Sequence, residues 1–120
     1  MTRRRAQKFG FIAEWSAMLL LTLKGYRLVA RNFRSRRGEI DLIMRRDAAL
    51  IFIEVKFRRQ HQSLYYAITA KQWRRIYDAA TDFVALHPPL AHLVWRFDSV
   101  LCSPLPRHQK DVWRIYDGMR

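Results

Sequence analysis

The chain has 120 residues, half of them hydrophobic, with 23 Lys and Arg against 10 Asp and Glu and a formal net charge of +13. That length and apolar content suit a single domain with a core of its own and exclude a disordered basic tail. So large an excess of one sign repels itself in a compact fold and points to an anionic partner, with nucleic acid ahead of an anionic membrane surface or a ribosomal contact.

In chain order, residues 1–8 read as a basic arm expected to be mobile. Arg3-Arg4-Arg5 before the apolar run Ala17 to Leu23 imitates a signal peptide, but Glu14 and Trp15 interrupt it and no small-x-small site follows. No apolar run approaches the roughly 20 residues of a membrane helix, so no membrane partner is expected. Phe9 to Lys24 is expected to form a helix, with Ile12, Trp15, Leu19 and Leu23 on its buried stripe, Leu20 and Leu21 widening it, and Gly25 as the C-terminal cap. Glu14 in its first turns is either a carboxylate favoured by the helix dipole or a ligand aimed at a site elsewhere. Tyr26 to Phe33 reads as a strand. Arg31, Arg34, Arg36 and Arg37 crowd the turn after it, either as a solvated loop or as guanidinium groups for phosphates.

The next stretch, Arg37 to Arg59, carries the most information. Two apolar runs flank Arg46-Asp47-Ala48-Ala49, and they contain Glu39, Asp41, Glu54 and Lys56 in a chain poor in acids. An even-length loop centred there pairs Ile43 with Phe52 and Asp41 with Glu54. Strand alternation puts Glu54 and Lys56 on one face, with Asp41 joining them roughly 5 Å away between Cβ atoms. Opposed carboxylates repel unless a cation lies between them, and Mg²⁺ takes one or two carboxylates together with water and phosphate oxygens. Glu39 falls on the same face, opposite Lys56, where a salt bridge is its expected role. Ile40, Leu42 and Met44 line the other face with Ile51, Ile53 and Val55. A sheet apolar on both sides must be covered on both, which implies α/β layering.

Tyr65 and Tyr66 follow, expected to pack on the sheet, with stacking on bases as the rival. Thr69-Ala70-Lys71-Gln72 fits a capping box. The helix behind it runs to about Leu86, burying Trp73, Ile76, Tyr77, Ala80, Phe83 and Val84. Lys71 opposes the dipole of its own helix: it is either an unoptimised surface lysine or one held for a phosphate. Arg74 and Arg75 extend the basic face. Leu93 to Leu101 and Val112 to Tyr116 read as strands joined through Ser103 to Pro106. Asp98 is expected to pair with Arg96 or contact a sheet end. The four histidines show no ligand spacing, and there is no repeat and no glycine-rich phosphate loop. Cys102 is the only cysteine. That excludes an intramolecular disulfide and a cysteine zinc cluster, and it fits a reducing cytoplasm.

Asp41 followed by Glu54-Val55-Lys56 resembles the PD-(D/E)XK nuclease signature. With Gly10-Phe11-Ile12-Ala13-Glu14, Gly25-Tyr26, Arg31-Asn32, Gly38 to Ile43, Phe52 to Lys56 and Arg96-Phe97-Asp98 in order, the chain resembles the YraN family, also called UPF0102, over about residues 8–117. The resemblance implies a restriction-endonuclease-like α/β fold, close to Holliday junction resolvases, with a mixed central sheet flanked by helices. It implies Asp41 and Glu54 as metal ligands, Lys56 as the active-site lysine, Glu14 as the helix glutamate and Lys71 as the basic residue of the following helix. The family's usual glycine after its E-V-K-x-R segment is absent here, where the chain reads Gln62-Ser63-Leu64-Tyr65-Tyr66.

The expectation is a Mg²⁺- or Mn²⁺-dependent nuclease acting on DNA, with branched or repair intermediates as candidate substrates. Its catalytic set is Glu14, Asp41, Glu54, Lys56 and Lys71, and its backbone-holding set is Arg34, Arg36, Arg37, Arg58, Arg59, Lys71, Arg74 and Arg75. Oligomeric state is left open by the sequence; related resolvases work as dimers, and by analogy a homodimer is a candidate form. The alternatives are a nucleic-acid-binding module without turnover and a structural partner of an acidic protein.

Overall fold

The computed structural model describes residues 3–58, 68–103 and 105–115, with backbone alone for 3–10. Helix α1 (Arg3–Leu23) leads into strands β1 (Arg27–Arg34), β2 (Glu39–Arg46) and β3 (Ala49–Phe57). Helix α2 (Ala70–Leu86), a 3-10 turn at Pro88–Leu90, and strands β4 (Val94–Cys102) and β5 (Pro106–Trp113) complete it. One five-stranded sheet runs in the order β1-β2-β3-β4-β5. β3 and β4 are parallel and every other neighbouring pair is antiparallel. Parallel neighbours need a long crossover, and α2 lies within it. α1 covers one face and α2 the other, so the fold is the expected α/β arrangement of a mixed sheet flanked by helices.

The hairpin of β2 and β3 has the register expected from its sequence. Ile43 pairs with Phe52 and Leu42 with Ile53, around a turn at Asp47 and Ala48. Asp47 takes the left-handed conformation at φ 52, which aspartate tolerates better than most residues. Side-chain alternation then sends Leu42, Met44, Ile51 and Ile53 to the α1 face, and Ile43, Leu50 and Phe52 to the α2 face. Ile40 departs from the expected pattern. It joins the α2 core beside Phe33, its partner on β1, instead of following Leu42 and Met44. The β2–β3 ladder ends at Leu42 and Ile53. Beyond it the two strands separate, and the alternation of β2 changes phase.

α2 starts where the capping box suggests: Thr69 Oγ1 accepts from the Gln72 N–H at 3.1 Å. Trp73, Ile76, Ala79, Ala80 and Phe83 are buried against the sheet, with Tyr77 and Val84 at the edge of that core. Phe52 stacks on Phe97 at 5.4 Å, and Trp73 on Trp113 at 6.2 Å. α1 begins at Arg3, taking in most of the basic stretch read as an arm. Its end follows expectation. Gly25 has φ +94, its N–H bonds Thr22 O, and Tyr26 N–H bonds Leu21 O. This is a Schellman cap, in which a glycine without Cβ takes the left-handed position.

The buried face of α1 is a correction. Ile12, Trp15, Leu19 and Leu23 are 50%, 43%, 61% and 77% exposed, while Ala13, Ala17 and Leu21 are at most 3% exposed and meet the sheet. Two alanines one turn apart let the helix backbone lie close over Leu42, Met44, Ile51 and Ile53. The large side chains therefore point outward.

β5 starts at Pro106, earlier than the expected Val112, and Tyr116 lies outside the described residues. It is an edge strand of alternating polar residues, and proline is tolerated at the first position of such a strand. Asp98 is fully buried. It accepts two bonds from Arg96 (2.9 and 2.7 Å), one from His108 Nε2 (2.7 Å) and one from the Asp111 N–H (2.9 Å). Arg96 also bonds the Tyr26 hydroxyl at 2.7 Å, so this network ties β4 and β5 to the end of α1. Burial alone would raise the Asp98 carboxyl; the bonds from His108, Arg96 and Asp111 outweigh it and hold it below the usual range.

Candidate functional site

The site forms where β2 and β3 part. There Asp41 Oδ2 accepts from the Val55 N–H at 2.8 Å, so a side chain takes over one backbone position of the ladder. Glu54, 9% exposed, is within hydrogen-bonding reach of Asp41. Lys56 Nζ lies 3.1 Å from Glu54 Oε1. Asp41, Glu54 and Lys56 are thus brought together as their sequence spacing suggested. Burial, then the Asp41 charge, pushes the Glu54 carboxyl up to about 7. Burial also raises Asp41, even though the Val55 N–H, Lys56 and Glu54 act the other way. Two adjacent carboxyls that both hold their protons too tightly form a site short of positive charge.

The donor set fits a divalent cation of the magnesium type. Both donors are hard oxygens. The Val55 N–H engages one oxygen of Asp41 and Lys56 one oxygen of Glu54, and the two carboxyls also face each other. Among the described residues no group of three or more His, Cys, Asp or Glu gathers as a metal cluster. Mg²⁺ accepts that shortage, since it keeps several waters and is often held by one or two carboxylates plus substrate phosphate.

Glu14 is held at the border of this site. With the Asn32 amide assigned so that its nitrogen faces the acid, Asn32 donates to Glu14 Oε1 at 2.9 Å and Oε2 at 3.3 Å. Asn32 sits at φ 51, between the β1 residues that pair with Leu42 and Ile40, and therefore beside Asp41. Burial and the Asp41 charge raise the Glu14 carboxyl, while Asn32 and Arg31 oppose the rise. Sequence reasoning gave Asn32 no role. What marks it is a left-handed backbone at a non-glycine residue inside an edge strand, which spacing alone does not reveal.

Glu39 takes a different partner from the one expected. It pairs with Arg34 of β1 at 3.1 Å on the exposed surface, and Lys56 pairs with Glu54 instead. The separation of β2 from β3 removes the cross-strand position that the regular register would have given it. Glu39 still lines a small cleft of about 90 Å³ with Glu54, Gln72, Arg75 and Ile76. Gln72 and Arg75 on α2 therefore face the carboxylates, whereas the exposed Lys71 beside them is not among the residues lining the cleft.

The basic residues divide. Arg37 is clamped to α2, bonding Asp82 at 2.7 and 3.2 Å and the Asp78 carbonyl at 3.3 Å. Arg74 stands 4.0 Å from Asp78. Arg36 and Arg75 are exposed. Arg58 bonds the carbonyl of Phe57 at 2.8 Å. Arg59, Tyr65, Tyr66 and the departure at Gln62 to Tyr66 lie outside the described residues.

Fold and site together define a small α/β protein whose mixed sheet opens at one end onto a carboxylate pair, Glu54 buried and Asp41 half-buried, with a lysine beside it. The sequence model of the uncharacterised protein family UPF0102 matches residues 13–102, and the chain belongs to that family. A UPF0102 protein of Rhodopseudomonas palustris (strain BisB18) is 47% identical over 108 residues, covering 88% of this chain and 80% of the relative. One from Bradyrhizobium sp. (strain ORS 278) is 45% identical over 108 residues, covering 88% and 77%. One from Paramagnetospirillum magneticum (strain AMB-1) is 44% identical over 116 residues, covering 92% and 90%.

Proposed function

We propose that the chain hydrolyses phosphodiester bonds in nucleic acid, DNA first, in a reaction dependent on Mg²⁺ or Mn²⁺. The observation that carries this is the pair of buried Glu54 and half-buried Asp41, in mutual reach, with Lys56 on Glu54 at 3.1 Å. Asp41 and Glu54 would hold the ion, which when bound supplies Lewis acidity to a phosphoryl oxygen and a more acidic water. The Val55 N–H fixes the orientation of Asp41 before any substrate arrives. Lys56 keeps a cation inside a half-buried cleft, where it stabilises negative charge that develops on the phosphoryl group. Glu14, steadied by Asn32, contributes acceptor capacity at the rim. Arg75 and Gln72 face the same cleft and orient the backbone entering it, with Arg34, Arg36, Lys71 and Arg74 further out. Such contacts position a strand without reading its sequence.

The test is cleavage of labelled branched, single-stranded and duplex DNA in Mg²⁺ and in Mn²⁺. Wild type should cleave at least one of them, and purified Glu54→Ala should be slower by at least about a hundredfold. Undiminished cleavage by Glu54→Ala would take the reaction away from this site. Salt-sensitive binding with no cleavage by wild type would leave a binding module on the same fold.

A further inference from the structure

The most apolar stripe of α1 is left uncovered by the fold. Phe11, Ile12, Trp15, Leu19 and Leu23 are 43% to 77% exposed, and Leu28 of β1, at 43%, continues their patch. The other exposed large hydrophobic residues described, Leu86, Val94, Leu105 and Val112, come from four separate places in the chain. Between α1 and β1 the patch sinks into a groove of about 820 Å³, walled by Phe11, Trp15, Leu19, Tyr26 and Leu28. Contiguous apolar surface with a polar rim marks an interaction site far more often than scattered leucines do.

Charge and shape select the occupant. Among the described residues, the groove wall contains one charged residue, Arg27, and no carboxylate. Arg31 lies over the Trp15 ring, 4.6 Å from its centroid, so a second guanidinium stands at the rim. A second copy would meet this surface with the same arginines and the same net charge of +13, an unfavourable self-pairing in a two-fold contact. A bilayer takes up side chains that project from a convex face, and this surface is concave. Strand addition at β1 is opposed by the register shift between Leu28 and Ala30 and by the left-handed Asn32. A helix laying its apolar stripe into the groove meets none of these objections. We infer that the groove between α1 and β1 docks an amphipathic helix of a partner protein, one whose apolar stripe is flanked by acidic residues.

The test uses two fluorescein-labelled amphipathic peptides with leucine at helical spacing, one flanked by glutamate and one by lysine. They are titrated into the full chain at fixed ionic strength. Leu19→Glu alters the groove, Trp15→Ala removes its central ring, and Leu86→Glu makes the same charge change at an exposed site elsewhere. The glutamate-flanked peptide should bind wild type and Leu86→Glu alike, and Leu19→Glu and Trp15→Ala at least tenfold more weakly. The lysine-flanked peptide should not bind. Equal loss in Leu19→Glu and Leu86→Glu would reduce the effect to net charge and overturn the inference. It would also be overturned by no binding of the acidic peptide at 100 µM, by binding of phosphatidylglycerol vesicles that depends on Leu19 while the peptide does not bind, or by a wild-type dimer in sedimentation that Leu19→Glu dissolves.

Discussion

Asp98 and the pair Asp41–Glu54 are acids whose proton affinities burial raises alike and whose partners then send in opposite directions. Asp98 has no exposure and is satisfied by Arg96, His108 and the Asp111 N–H, so its charge is welcome and its proton affinity is lowered. Asp41 and Glu54 share one lysine between them, and their proton affinities rise. A structural acid and a candidate ligand pair are thus distinguished by their partners, although each sits inside an apolar strand. The difference has a consequence in pH. A carboxyl depressed in the fold stabilises it fully above its unfolded value, and that stability is lost as pH falls through the folded value. Asp98→Asn should therefore be less stable than wild type at pH 7, by about 3 kcal/mol, and the gap should close below about pH 4. Thermal melts across pH 2.5 to 7 check this; a gap independent of pH would assign the loss to packing alone.

At the scale of elements, the site depends on how the turn before β2 is seated on α2. A Cβ on Gly38 would collide with the backbone carbonyl of Arg75, and Arg37 next to it bonds Asp82. Gly38→Ala must move the turn or the helix, at a cost of about 1–3 kcal/mol, and it shifts Arg75 relative to Glu54. The expected result is a lower melting temperature together with weakened DNA binding; an unchanged melting temperature would show that the turn is not seated this way. The hairpin was legible in the sequence because alternation and an even loop leave a single register that buries both apolar sets. Where β2 and β3 separate, that logic stops, and Ile40 and Glu39 take places that alternation does not give. The face of α1 was misread for a related reason. Hydrophobic spacing identifies a stripe but not which side is covered, and Ala13 and Ala17 pack closely enough to the sheet that the bulky stripe is left outside. β5 has little apolar periodicity because only one edge of it reaches the core.

Across the whole molecule, a net charge of +13 is spread unevenly. Arg37 and Arg74 are drawn to Asp82 and Asp78, while Arg36 and Arg75 stay exposed, Arg75 lining the cleft. If the chain holds DNA by its backbone, the logarithm of the affinity should fall linearly with the logarithm of salt concentration, and Arg75→Ala should reduce that slope by about one. Affinity that does not respond to salt would contradict the electrostatic account. No helix among the described residues is long and apolar enough to cross a membrane. The sheet was legible in outline from the sequence, and so were the two carboxylates and the lysine. Asn32, Gln72 and the exposed groove were not, because each depends on what another element brings beside it.

The central claim is that Asp41 and Glu54 form a divalent-cation site, and calorimetric titration of Mg²⁺ and Mn²⁺ into wild type and Asp41→Asn, without nucleic acid, tests it most directly. Removing one of two carboxylates should weaken binding at least about tenfold, since hard ions depend on the number of charged oxygens they meet. Equal binding by the two proteins would contradict the account and place any ion elsewhere.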